Sequence, residues 1–283
     1  MDYQREAHEE YQKAYSIAMR NQLKDKKQNV APYPSVLDAI LNERMISCRQ
    51  DLGVMDIPTN LIVGVSEYSD VLLKYTKDFL PLADPNSQIA MQWRRAYQAL
   101  RGQENSKEIC CLEYLGKFYV VDGLQEVSVA KYSGTYQIRS HVTRILPVKT
   151  QSSTVEHYYD FLVQFDLTNL YQLQFTQPGY FEKLQSALNK QASAEWTDND
   201  RSKFLMHWPK IERAFQKSFD NCLNITSADA LVVLLDKYSF TQLIGLDSWV
   251  LARIFQASWK DLCRLSHANC AEADSGMGTL YTA

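Results

Sequence analysis

Two β-rich runs, Ile109-Cys-Cys-Leu-Glu-Tyr114 and Lys117-Phe-Tyr-Val-Val121, stand on either side of Leu115-Gly116. Branched and aromatic runs separated by a short glycine-containing break predict a β-hairpin. Asp122-Gly123 ends the second run. Residues 124–132 then read as a helix, with Val127, Ala130 and the stem of Lys131 facing inward, and Ser133-Gly134 stops it. From 136 to 146, Ile138, Ser140 and Val142 alternate with Arg139, His141 and Thr143, which predicts a further strand. The order hairpin, helix, strand points to an α+β arrangement around a mixed sheet.

Helical patterns flank this centre. Tyr3, Ala7, Tyr11, Ala14, Ala18 and Leu23 recur at helical spacing over residues 2–26. Pro32 and Pro34 stop that helix, and Ser35 is placed to cap a second one through about Met45. Met55 to Val63 reads as a strand kinked at Pro58, and 64–85 shows no clean period. Asp84-Pro85-Asn86 leads into a helix over about 87–101, with Ile89, Trp93, Ala96 and Leu100 on one face. Beyond Pro147 the pattern is mostly helical, over 154–165, from Gly179 to about Lys190, 197–219 with Pro209 as a kink, 227–236 and 248–264. Tyr171, Leu173 and Phe175 alternate with glutamines as an extra strand, and 266–283 reads as a flexible tail. The divisions expected are a helical extension over 1–50, an α+β domain over 51–150, a mainly helical region over 151–265 and the tail.

Composition excludes several classes. Hydrophobic residues make up 46% and charged residues 22% of the 283, so the chain can bury a core and is not disordered by composition. The net charge of −3 supplies no global field toward nucleic acid or an anionic membrane, so any nucleic-acid contact must come from a local patch. No window approaches the roughly 18 apolar residues of a membrane span, and residues 1–20 lack the apolar centre of a secretory signal. A cytoplasmic protein without membrane partners is therefore expected, its six cysteines (Cys48, Cys110, Cys111, Cys222, Cys263, Cys270) reduced. The histidines (His8, His141, His157, His207, His267) have no zinc-type pairing, no metal centre is expected, and no Walker or Rossmann glycine loop occurs.

The stretch Tyr119-Val-Val-Asp-Gly-Leu-Gln-Glu-Val-Ser-Val-Ala-Lys-Tyr-Ser-Gly134, with Ile138 to Ile145 after it and Met55 to Val63 before it, resembles the ParB N-terminal/sulfiredoxin-like superfamily. The chain looks like an uncharacterised bacterial ParB-like protein with helical flanks, and the resemblance covers about residues 50–146. In that family a strand ends in Asp-Gly and a Gly-x-x-Arg motif opens the helix, where free backbone N–H groups and an arginine can hold phosphate. The resemblance implies a CTP-type or ATP-type pocket and association with DNA as a transcriptional regulator. Here Gly123 is followed by Leu124, Gln125 and Glu126, so a glutamate stands where the family has arginine. A carboxylate there repels phosphate. No cysteine adjoins Gly123, so this alignment excludes sulfiredoxin chemistry.

The resulting expectation is a non-catalytic ParB-like regulatory or nucleic-acid-associated protein with a degenerate nucleotide-binding motif formed by Asp122, Gly123, Gln125, Glu126 and Ser128, and with no cofactor. A second reading is a Mg²⁺-dependent nucleotide switch or hydrolase in which Asp122, Glu126 and Glu113 hold the cation, since oxygen ligands suit Mg²⁺. The plainer reading of the first two has Asp122 capping the helix and Glu126 complementing its dipole. Lys117, Lys131, Arg139, His141, Arg144 and Lys149 form a candidate anion or nucleic-acid patch, against an ordinary charged sheet face. A third reading is an assembly module, with aromatic helices binding a partner protein or a second copy in a homodimer.

Overall fold

The computed structural model describes residues 3–102, 107–219 and 223–266. The reading of 267–283 as a tail, together with Cys222, His267 and Cys270, lies outside the described residues. The chain forms two units, Met1–Lys149 and Thr150–Ala283.

In the first unit the alanine and tyrosine spacing of the N-terminus forms α1 (Tyr3–Lys27), which buries Ala7, Tyr11, Ala14 and Ala18. That face packs against Ala90, Trp93 and Tyr97 of α2 (Gln88–Gly102) and against Val129 of α3 (Leu124–Tyr132). Trp93 stacks on Tyr97 at 5.6 Å and meets Tyr11 edge-on at 5.3 Å. Two side-chain bonds fix the packing: the Tyr11 hydroxyl donates to the Ala83 carbonyl (2.8 Å) and the Trp93 indole N–H to Ser128 Oγ (2.9 Å). Burying each large apolar side chain of this cluster contributes about 1.5–3 kcal/mol.

The sheet contains β1 (Ser35–Val36), β2 (Ile46–Pro58), β3 (Ile62–Val65), β4 (Ile109–Tyr114), β5 (Lys117–Asp122) and β6 (Gln137–Pro147), in the order β1-β3-β5-β4-β6-β2. It is mixed: β4 runs antiparallel to its hairpin mate β5 and parallel to β6, while β2 runs antiparallel to β6 at the edge. Cys110 is exposed and Cys111 buried, as alternation along a strand requires. Leu112 and Tyr114 of β4 join Leu37, Tyr119 and Ile145 in a small cluster on one face.

Three readings are corrected. Residues 35–45 are not a helix; they form β1 and two 3₁₀ turns, Leu37–Ala39 and Glu43–Met45. Ser35 caps nothing there, and its hydroxyl donates to the Val63 carbonyl (3.0 Å). The strand read over 55–63 is divided at Pro58 by a 3₁₀ turn, Thr59–Leu61. Residues 171–175 are not a strand: Leu170, Tyr171 and Leu173 are all buried rather than alternating.

The second unit is helical among its described residues: α4 (Ser153–Thr168), α5 (Tyr180–Ala187), α6 (Asp198–Phe219), α7 (Ser227–Leu235), α8 (Phe240–Gly245) and α9 (Ser248–Ala257), with residues 259–266 also helical. Helix α6 continues through Pro209. Its aromatic stripe is spent inside the unit, Phe204 packing on Trp196, Trp208 and Phe240 and Phe215 on Phe255. On α6 the stripe is therefore core, whereas Trp249 and Trp259 of the last helices are exposed. Asp229 completes a capping box with Thr226 and accepts both the N–H and the hydroxyl of Thr176 (3.0 and 2.8 Å), which ties the 170–176 loop to α7. No described helix is long and apolar enough to cross a membrane.

Candidate functional site

β5 hands the chain to α3 through Gly123, whose φ of 95° lies in the left-handed region. A Cβ at this position would stand 2.4 Å from Ile109 Cγ2. The glycine is thus required twice, by its backbone angle and by the close approach of β4. Asp122 does not cap α3. One of its oxygens accepts from the Gly123 N–H (2.9 Å) and the other from Lys107 Nζ (2.7 Å). That bond to Lys107 holds the exposed carboxyl below its ordinary range.

The remaining motif residues diverge. Gln125 donates to Gln92 Oε1 (3.1 Å), and Glu126 is half-buried in the first turn. Ser128 is fully buried under the Trp93 indole, so the structure removes it from the candidate ligand set. Glu113 is also unavailable to a cation. It is fully buried, with Oε2 accepting from Arg144 Nε (2.7 Å) and Oε1 from the Gly116 N–H (2.7 Å). Among the described residues no three His, Cys, Asp or Glu side chains converge as a metal site. The turn as built is a strand-to-helix joint whose nearest bound cation, Lys107, is matched by Asp122.

The six-residue basic patch is not one surface. Arg144 is buried in its pair with Glu113 across the parallel β4–β6 register. Lys131 is half-buried on α3, its ammonium 5.0 Å from the Phe79 ring centre. Arg139 and His141 are exposed, but Arg139 pairs with Glu108 (3.3 Å) and His141 with Asp51 Oδ1 (2.8 Å). The Gly53 N–H and then His141 hold the Asp51 carboxyl low. Lys117 is half-buried and Lys149 exposed. A linear count of charge over 117–149 omits Asp51, Glu108 and Glu113, which neighbouring strands bring in.

A second set of cations, outside the motif, stands on α1. Arg20, Lys24, Lys26 and Lys27 are all exposed at the C-terminal end of that helix, and none has a carboxylate partner among the described residues. At about 100° per residue, Arg20, Lys24 and Lys27 form one stripe. The stripe points away from the face that buries Ala14, Ala18 and Asp25. The acids of α1 lie at its other end and are already engaged, Glu6 with Arg101, Glu9 with Arg5 and Glu10 with Lys13. Asp25, the acid within the basic segment, is buried against Lys77 (2.8 Å). The signal was present in the sequence as an i, i+4, i+7 spacing of basic residues. Neither the protein-family models nor the curated proteins compared with the chain give a match.

Proposed function

We propose that this chain is a non-catalytic regulatory protein that associates with nucleic acid, and that its ParB/sulfiredoxin-like Asp122-Gly123 turn serves as a structural joint instead of a phosphate pocket. The resemblance of residues 50–146 supports the association with nucleic acid. The observation that carries the reading is the stripe of Arg20, Lys24 and Lys27, exposed on the solvent side of α1 and without a carboxylate partner among the described residues. Seven residues of helix span about 10 Å, and one DNA strand presents a phosphate about every 3.4 Å along its axis, so three cations face about three phosphates. Lys24 and Lys27, in the last turn, also complement the negative end of the helix dipole while their charges face outward. The absence of nucleotide chemistry is supported by Glu126 in the arginine position, the Lys107–Asp122 pair and the burial of Ser128.

Fluorescence anisotropy with a labelled duplex tests the proposal. Three phosphate contacts predict a slope near −2.7 in log K against log[salt], about a 40-fold loss of affinity between 50 and 200 mM salt. Binding that does not respond to salt, or no binding, overturns it. A melting-temperature rise with CTP or ATP that needs Mg²⁺ would instead favour the nucleotide switch. Concentration-dependent size without DNA binding would favour an assembly module.

A further inference from the structure

We propose that the helical unit carries a second binding site, for a small molecule with a flat apolar body and one anionic group. Between α6, α8 and the segment 188–196 that follows α5 lies a cavity of about 420 Å³, within the range of about 300–1,000 Å³ usual for small-molecule sites. Its walls are chiefly aromatic and aliphatic side chains, Trp196, Phe204, Phe240 and Ile244. The walls are fixed before any ligand arrives. Trp196 is buried and its indole N–H donates to Gln185 Oε1 (2.8 Å), while Gln185 is itself fully buried and donates to the Ala194 carbonyl (3.0 Å). Phe204 meets Trp196 edge-on at 5.4 Å and lies nearly parallel to Phe240 at 5.9 Å. Preorganised walls lower the ordering cost of binding.

The charge on this cavity is not balanced. Asp200 accepts from Lys190 Nζ (2.7 Å), from the Thr197 hydroxyl (2.7 Å) and from the Thr197 N–H (2.9 Å), so this acid and Lys190 answer each other. Lys203 and His207 also line the cavity, four residues apart on one face of α6. Neither has a hydrogen-bond or ion-pair partner among the described residues. Lys203 is exposed at the rim and His207 half-buried. An apolar chamber with a surplus ammonium and an imidazole at its edge is complementary to an aromatic carboxylate: the ring occupies the chamber and the carboxylate accepts from Lys203 and His207. This site is separate from the nucleic-acid reading and stands or falls without it.

Calorimetric titration of the full chain with 2-naphthoate tests it. The expected result is one saturable site, weakened about tenfold or more by Lys203→Ala, as loss of a charge-assisted hydrogen bond implies. The neutral 2-naphthylmethanol should bind at least about tenfold more weakly than the carboxylate for the same reason. Ile244→Trp, which fills the chamber, should abolish binding while the melting temperature shows that the unit is folded. No saturable binding, equal binding of acid and alcohol, or binding unchanged in both variants overturns the proposal. Lys203 is exposed, so that arm stays decisive if Ile244→Trp fails to fold.

Discussion

Replacing Gly123 by alanine separates a glycine kept for packing from one kept for a ligand. The new Cβ would stand 2.4, 2.7 and 3.1 Å from Cγ2, Cβ and Cα of Ile109, so either β4 or α3 must shift. Overpacking of this kind costs about 1–3 kcal/mol, and a left-handed backbone angle on an L-residue about 1–2 kcal/mol. Together they predict a loss of about 2–5 kcal/mol. Gly134, at the other end of α3, is the internal control, because its φ is +68° but an added Cβ would meet nothing within 4 Å. Gly134→Ala therefore carries the backbone cost alone, about 1–2 kcal/mol. Urea unfolding followed by far-UV circular dichroism measures both. At about 2–4 °C per kcal/mol for a chain of this size, Gly123→Ala should also melt about 4–20 °C lower than the parent. Equal losses in the two variants, within about 0.5 kcal/mol, would refute the packing argument.

Arg144→Met strands the buried Glu113 carboxylate and should cost about 3–5 kcal/mol in urea unfolding. The joint Glu113→Leu/Arg144→Met variant should recover most of that loss but not all, because the Gly116 N–H also bonds Glu113; a double variant no better than the single one would contradict the pairing. Burial pushes the Lys131 ammonium down from its ordinary 10.5 to about 8, partly offset by Asp78. Between pH 8 and 10.5 the unfolded chain then binds more protons than the folded one, so this group's contribution makes stability rise with pH across that window. Lys131→Met should accordingly exceed the parent in stability at pH 7, by at most about 3 kcal/mol, and lose that advantage toward pH 10.5. A difference between the two proteins that is independent of pH would rule this out.

Local pattern carried much of the first unit. The hairpin Ile109–Asp122, helix α3 and strand β6 follow from alternation and from Gly116, Gly123 and Gly134. Residues 35–45 escaped because the Pro34-Ser35 helix-start signal is overridden by tertiary packing, Leu37 being buried against Tyr119 and Ile145. The first part of β2 escaped because an edge strand exposed over Cys48–Asp51 shows no alternation to read. The inward place of Arg144 is legible in the sequence. Inward Ile138, Ser140 and Val142 put residue 144, two positions further on, on the same inward side. What no local pattern gives is the partner: Glu113 for Arg144, Asp51 for His141 and Trp93 for Ser128 come from 31, 90 and 35 residues away. The cavity at Lys203 and His207 needs two helices and the segment 188–196 at once, and the sequence shows only an aromatic stripe there.

The most direct test of the account compares two variants in one anisotropy assay with labelled duplex DNA at low salt. Arg20→Ala/Lys24→Ala/Lys27→Ala removes the exposed stripe, and Arg139→Ala/His141→Ala removes the paired strand side chains. The account predicts that the α1 variant loses affinity and most of the salt dependence while the strand variant keeps both. Loss in the strand variant with the α1 variant unchanged would contradict it.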